Sequence, residues 1–143
     1  MKSNMSIKNK FDFFDVTADI GFTAYGNSLN ECYENAGLAL FNVISNTDNI
    51  EHNKTISFEV KSEDSVSLLY DYLEELLFYH ETEFMLFSEF KIELNDDFSL
   101  KATIKGEEID WSKHIRGCEV KAITFHMIEV DQEQLFVKAI LDL

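Results

Sequence analysis

Two carboxylates stand four residues apart near the start of the chain, in the stretch Asp15-Val16-Thr17-Ala18-Asp19-Ile20-Gly21. Apolar runs flank this stretch, and its small residues predict a tight loop between two strands. A carboxylate in such a loop can ligate a cation, cap backbone N–H groups or carry protons. A third carboxylate, Asp142, lies beside Leu143 at the end of the last apolar run. We expect these two places to meet in the fold.

The first chemistry to consider is cation binding. Asp15, Asp19 and Asp142 offer hard oxygen ligands, which Ca²⁺, Mg²⁺ and Mn²⁺ prefer, and a main-chain or terminal oxygen of Leu143 can add another. An Asp beside Thr and Gly more often caps a turn, and spacing alone favours that interpretation. Lys121 offers a competing arrangement, because a lysine can neutralise a carboxylate cluster without a metal. The Cys and His residues lack paired spacing, so no zinc site is expected.

Catalysis by this chain alone has less support. The sequence contains no GxSxG, HExxH or phosphate-binding glycine loop, and its five glycines are scattered. Asp15 and Asp19 can act as paired carboxylates, and His126 shares a predicted strand face with Thr124. These residues would suit a small hydrolase or isomerase, which ranks last among the interpretations because no nucleophile or cofactor motif supports it.

Composition predicts one soluble domain. The chain has 143 residues, of which 45% are apolar, and a net charge of −15. That charge argues against direct nucleic-acid binding, which needs clustered Lys and Arg, and suits a basic protein partner or a cation. No apolar run approaches the roughly 20 residues that span a bilayer, and the N-terminus lacks a signal region, so we expect a cytoplasmic protein. Cys32 and Cys118 are predicted to be buried thiols.

The elements that position these residues follow from hydrophobic periodicity. Ser28 and Glu31 predict a capping box at the start of the first helix. The strands and helices do not alternate regularly, which predicts an α+β fold, a single domain over 11–143 with a largely antiparallel sheet, after a flexible tail over 1–10. The predicted strands are 11–15, 20–25, 55–61, 88–94, 98–105, 120–130 and 135–143, and the predicted helices are 29–44 and 64–79.

Three finer expectations concern side-chain direction. The small residues 36–39 suit close packing of the first helix on a sheet. In the second helix, Glu74 should point to solvent, whereas Glu75 lies at the edge of the apolar face and could face a site. In strand 120–130, alternation places Ile123, Phe125 and Met127 on one side together with Lys121.

The segment 106–117 is the longest irregular stretch. It holds the only tryptophan, Trp111, together with His114. It is either an interaction loop or a surface loop pinned by Trp111.

The run from Asp15 to Gly21 resembles the signature of the archease family, in which Glu or Asp precedes His-Thr-Ala-Asp-Ile-Gly. The similarity continues through segments 28–41, 67–77 and 119–127 to the strand that ends at 141–143, so it covers nearly the whole chain in order. Val16 stands where the family usually has His, which removes an imidazole. Phe125 stands where the family often has Tyr, which removes a hydroxyl.

The resemblance implies an accessory protein rather than an enzyme. Archeases are small acidic proteins that promote guanylylation of the RtcB-type tRNA-splicing RNA ligase by GTP and support its multiple turnover. The resemblance also implies a divalent-metal site at Asp19, Asp142 and Leu143, with Ca²⁺ as the expected ion and Mg²⁺ or Mn²⁺ as alternatives. Lys121 and Glu75 match positions expected to matter for activation of the ligase, and Asp15 joins them.

Taken together, these features predict an activator that acts through the ligase and does not bind RNA or a membrane itself. We expect Asp19 and Asp142 to hold a divalent ion at an edge that docks near the ligase's GTP site. The alternative is a general protein chaperone or assembly module that uses the Trp111 loop and exposed Phe side chains.

Overall fold

The computed structural model describes residues 9–143. The expected tail over 1–10 lies outside the described residues except for Asn9 and Lys10, which are exposed. The described chain forms seven strands and two helices, which confirms the predicted α+β class. The elements are β1 (Phe11–Val16), β2 (Asp19–Tyr25), α1 (Leu29–Ile44), β3 (Lys54–Lys61), α2 (Ser65–Glu83), β4 (Met85–Leu94), β5 (Ser99–Glu108), β6 (Ala122–Asp131) and β7 (Phe136–Asp142).

The strands form two antiparallel sheets. One sheet has the order β1-β2-β7-β6 and the other has the order β3-β5-β4. Both helices contact strands of both sheets, so the core is shared between the sheets through the helices. The order of the first sheet brings the signature strand β2 directly beside the last strand, β7.

Helix α1 begins as its sequence predicts. The Ser28 hydroxyl accepts a hydrogen bond from the Glu31 N–H at 3.2 Å, and the Glu31 carboxylate accepts one from the Asn27 N–H at 2.6 Å. Gly37 lies at the centre of the helix, and a Cβ atom added there would lie 2.7 Å from the Phe90 ring of β4. The predicted close packing of this helix on a sheet is therefore confirmed.

Gly37→Ala should lower the free energy of unfolding by about 1–2 kcal/mol, although alanine favours helix formation by about 1 kcal/mol over glycine. The added methyl overlaps the buried Phe90 ring, and overpacking of a core typically costs about 1–3 kcal/mol. Urea unfolding measures the change. In a Phe90→Leu background the same substitution should cost less, because the smaller side chain can give way. An equal cost in both backgrounds would contradict the clash.

Both helices also cover strand edges with polar side chains. On α1, the Glu34 carboxylate accepts from the Ile92 N–H at 3.0 Å, and Asn30 accepts from the Leu94 N–H at 2.9 Å, which covers the open edge of β4. On α2, the Glu74 carboxylate accepts from the Ile123 N–H of the edge strand β6 at 3.4 Å. Unpaired strand edges invite association with other chains, and these contacts protect two of the four edges.

The contact of Glu74 corrects the sequence prediction for α2. We expected Glu74 to point to solvent and Glu75 to face a site, but Glu74 reaches β6, and both residues are half-buried. Helical periodicity predicts one buried face, whereas α2 lies against β6 on one side and against the second sheet on another. The buried arc of α2 is therefore wider than its apolar stripe.

Strand β6 does not keep the predicted alternation. Its pairing with β7 is regular up to Thr124, opposite Ile140, and resumes at Glu129, opposite Lys138. Residues 125–128 therefore bulge out of the sheet, since only Ala139 of β7 lies between those paired positions. Consequently the prediction of one shared face was wrong.

The two cysteines differ in solvent exposure. Cys32 is buried as predicted, whereas Cys118 is exposed, which corrects that half of the prediction. No helix in the described range 9–143 is long and apolar enough to cross a membrane.

Candidate functional site

Asp19 and Asp142 lie directly opposite each other in the β2–β7 ladder. The predicted meeting of the first and last segments is therefore confirmed. Directly opposed residues of antiparallel strands point to the same sheet face, with Cβ atoms about 4.5–5.5 Å apart. The two carboxylates thus form a pair, which we call the acidic pair.

The acidic pair lies within a row that crosses the whole sheet. Val16 of β1 is opposite Asp19, and Ala122 of β6 is opposite Asp142. Alternation along β2 puts this row on the face opposite to the one that carries the buried Phe22. Val16 is therefore the cross-strand neighbour of Asp19.

Asp15 does not belong to this row. It lies opposite Ile20, one position along the hairpin, so its side chain points to the other face of the sheet. Asp15 and Asp19 therefore cannot act as paired carboxylates on one face, which contradicts that interpretation of the signature. Asp15 is also exposed, at the edge strand β1.

The signature forms the predicted tight hairpin. Thr17 and Ala18 connect β1 to β2, and Ala18 has a left-handed backbone with φ of 65°. An alanine in this region is strained, and such strain is concentrated at functional sites. Gly21 follows two residues after Asp19, and its missing side chain leaves room for the Phe14 ring, which an added Cβ atom would overlap.

Lys121 and Leu143 adjoin the acidic pair through the main chain. The Lys121 N–H donates to the Asp142 carbonyl at 2.7 Å, which fixes the start of β6 against the end of β7. The Lys121 side chain is exposed, and Leu143 is half-buried. In the described part of the chain no ion pair involves Asp19 or Asp142, so the competing arrangement with a neutralising Lys121 is not observed there.

The donor chemistry of the acidic pair fits a hard divalent cation. Two opposed carboxylates repel each other and destabilise a strand pair, and a cation between them would remove that cost. Within residues 9–143 no group of three His, Cys, Asp or Glu side chains is arranged to hold a metal ion. A cation at this place would complete its shell with main-chain oxygens, water or groups from a partner.

The Trp111 loop is pinned to the body of the protein by a buried cluster. Strand β5 continues through Glu108, so the irregular segment covers 109–121 rather than 106–117. Glu107, 8% exposed, accepts hydrogen bonds from the Glu51 N–H at 2.7 Å, from His114 Nε2 at 2.9 Å and from Lys113 Nζ at 2.9 Å. The Arg116 guanidinium lies 4.3 Å from the centre of the Trp111 ring. We name Glu107, Lys113 and His114 the loop clamp.

The loop clamp sets the proton positions of His114. Its Nδ1 accepts a hydrogen bond from the Asp110 N–H at 3.0 Å, so the proton lies on Nε2 and is donated to Glu107. Burial raises the pKa of Glu107, but the hydrogen bonds from Glu51, His114 and Lys113 outweigh it and lower the pKa to about 2. The carboxylate is therefore ionised throughout the physiological range.

Sequence reasoning missed three features of this region. The contact of Glu74 with β6 was not predicted, because no sequence pattern indicates that α2 packs against two sheets. The loop clamp was not predicted because its members, within 107–114, have no common period, and its further partner Glu51 is distant in sequence. The place of Val16 opposite Asp19 had a usable signal, since a two-residue hairpin loop fixes the register of the strands that flank it.

Comparison with known proteins gives one consistent result. Residues 11–143 match the family model described as the Archease protein family (MTH1598/TM1083). A protein named "Protein archease" from Methanothermobacter thermautotrophicus is 53% identical over 93% of this chain and 98% of its own length. A protein of the same name from Pyrococcus abyssi is 40% identical over 86% of this chain and 89% of its own length. The solution structure of protein 1598 from Methanobacterium thermoautotrophicum superimposes with a TM-score of 0.77 at 48% identity, over 94% of this chain and 99% of that one.

Proposed function

The chain belongs to the archease family, and we propose that it is an accessory protein that activates an RtcB-type tRNA-splicing RNA ligase. In this proposal it promotes guanylylation of the ligase by GTP and multiple turnover in tRNA splicing, without being an enzyme itself. The observation that carries the proposal is the direct opposition of Asp19 and Asp142. Two acids from opposite ends of the family pattern form one pair on a sheet face.

The acidic pair is proposed to hold a divalent cation, with Ca²⁺ first and Mg²⁺ or Mn²⁺ as alternatives. Asp19 and Asp142 supply carboxylate oxygens, and Leu143 supplies a main-chain oxygen. Lys121 fixes Asp142 through its backbone N–H. An ion held there would supply positive charge that can stabilise negative charge on phosphate groups.

The strands around the acidic pair hold its two carboxylates in a fixed position. The ladder β2–β7 holds the two carboxylates at a fixed spacing, and the Lys121 contact prevents the end of β7 from fraying. A rigid pair of this kind can be placed against the ligase's GTP site without reordering, which is how positioning lowers a barrier. The net charge of −15 suits a basic ligase surface and makes the encounter sensitive to salt.

Single-turnover guanylylation of the cognate ligase with GTP and a divalent metal, with and without this protein, tests the proposal. A faster formation of ligase–GMP in its presence is expected. An unchanged rate over a wide range of protein concentration would refute the activator role. The chaperone alternative predicts instead that the protein suppresses aggregation of unrelated unfolded proteins, with no dependence on Asp19 or Asp142.

Val16→His should make activation depend on pH. The new imidazole would lie opposite Asp19, and its protonation below about pH 6.5–7 would place a cation where the metal binds. The stimulated rate, divided by the rate of the ligase alone at each pH, should therefore fall between pH 8 and pH 6 for the variant and stay level for wild type. Val16→Asn, which is polar but does not titrate, is the control. Parallel pH profiles for all three proteins would contradict the assignment.

A further inference from the structure

The bulge of β6 is costly in three ways. The ladder with β7 is interrupted over 125–128. Met127 has a left-handed backbone with φ of 61°, which is unfavourable for a side chain of this kind. The Thr124 hydroxyl is buried and finds no hydrogen-bond partner within the described residues. A segment that lowers stability in several ways at once is a candidate for function.

The bulge turns apolar side chains outward. Phe125 is 55% exposed and Met127 is 50% exposed. The Phe125 ring is not loose, because it stacks on Tyr70 of α2 with ring centroids 4.1 Å apart. We name Tyr70, Phe125 and Met127 the bulge patch. A rigid apolar surface with an aromatic anchor is the form that binding hot spots take.

The bulge patch lies close to the acidic pair. Ala122 is opposite Asp142, and Phe125 follows three residues later. At about 3.3 Å per residue of strand, the two places are separated by roughly 10 Å. An interface of ordinary size covers about 800 Å² on each partner, so one partner can contact both.

Acidic side chains border the patch on α2. Glu74 lies one helical turn from Tyr70, and its carboxylate accepts a hydrogen bond from the Ile123 N–H of β6, so an acid lies beside the patch. Burial raises the pKa of Tyr70, and the carboxylates of Glu74 and Asp71 raise it further. The partner that fits is therefore an apolar cleft bordered by lysine or arginine side chains. The high negative charge of the whole chain disfavours a second copy at the same place.

We propose that the bulge patch is the surface through which this protein docks on the ligase, with the acidic pair aligned beside the GTP site by that docking. This inference rests on the proposed function, because it names how the same partner is held. It separates two tasks within one region of the first sheet: the bulge patch sets affinity, and the acidic pair sets the rate within the complex.

Met127→Asn tests the docking role without harm to the fold. Asparagine adopts the left-handed region more readily than methionine, so the backbone is retained while the apolar side chain is lost. The matched controls are Phe98→Asn and Phe84→Asn. Both replace exposed apolar residues with positive φ, 59° and 55°, outside the bulge. Phe125→Ser is the second patch variant.

Isothermal titration of ligase with each protein gives Kd, and titration of each protein into the guanylylation reaction gives the half-maximal concentration and the maximal rate. Both patch variants should raise the Kd and the half-maximal concentration by about tenfold or more each, and the maximal rate should stay unchanged. Both controls should remain within about twofold of wild type.

Several outcomes would overturn the docking proposal. These are patch variants that bind like wild type, controls that weaken binding as much as the patch variants, and a loss of maximal rate without a change in Kd. A wild-type dimer in analytical ultracentrifugation that Met127→Asn dissociates would assign the patch to a second copy.

Failure of the activator role can be distinguished from failure of the docking. Wild-type binding that is sensitive to the patch but gives no stimulation would refute the activator role and retain the docking. Absence of wild-type binding would refute both.

Discussion

Guanylylation of the ligase is expected to fall to the rate of the ligase alone when the Asp19→Asn protein replaces wild type, and likewise with Asp142→Asn. Each change removes one charge from a pair that lies in register across β2 and β7. Loss of a direct ligand should weaken cation binding by more than the roughly 10- to 100-fold that loss of an outer hydrogen-bond partner costs. Single-turnover kinetics measures the rate, and calorimetric titration with CaCl₂, MgCl₂ or MnCl₂ measures the affinity.

The free energy of unfolding distinguishes a specific loss of activation from a general loss of folding. Without metal, Asp19→Asn removes repulsion between opposed carboxylates, so the free energy of unfolding should stay level or rise by about 0.2–1 kcal/mol. Asp15→Asn is the matched control, because that carboxylate points to the other face of the same hairpin. It should retain most of the stimulation. If Asp15→Asn is as inactive as Asp19→Asn, general negative charge on the hairpin is sufficient and no specific pair is needed.

The second large effect concerns stability. Glu107→Ala should lower the free energy of unfolding by about 3–5 kcal/mol, since it leaves Lys113, the fully buried His114 side chain and the Glu51 N–H without their shared acceptor. Against a total of about 5–15 kcal/mol this is a substantial loss. Urea unfolding at pH 7 measures it. Glu107→Gln keeps one acceptor oxygen and should cost about 1–3 kcal/mol.

The same residue gives the stability a defined pH dependence. The pKa of Glu107 is about 2 in the folded protein and 4.5 as its ordinary value. A depressed pKa contributes stability that is fully present above about pH 5 and is lost as the pH falls towards 2, because the unfolded chain binds the proton first. Glu107→Gln lacks this contribution, so its deficit against wild type should shrink between pH 7 and pH 3. A constant deficit over that range would show that the loop clamp holds without its charge.

Local patterns in the sequence were sufficient for the elements and for one long-range contact. The cap at Ser28 and the small centre of α1 are short-range features, and their physics is complete within a few residues. The meeting of Asp19 with Asp142 was foreseen because both ends read as strands and belong to one family pattern. The register of β1 against β2 follows from the short loop of their hairpin.

Features that depend on the second sheet or on a bulge were beyond such patterns. Glu74 was assigned to solvent because periodicity describes one buried face, and α2 has two. Alternation predicts Phe125 and Met127 on the same side as Ile123 because it presumes an unbroken ladder. No local signal in residues 124–129 specifies how many of them β7 can pair with, since that number is set by the partner strand. The exposed thiol of Cys118 likewise depends on the path of the segment 109–121.

The order of the first sheet also has a consequence for biosynthesis. Strand β7 is the last of the seven strands along the chain, yet it lies between β2 and β6 and pairs with both. A nascent chain that is still emerging from the ribosome therefore holds β2 and β6 without their common neighbour, and the first sheet cannot form completely until β7 has emerged. Asp19 acquires its counterpart only at that moment. A chain that stops before β7 thus lacks the acidic pair altogether.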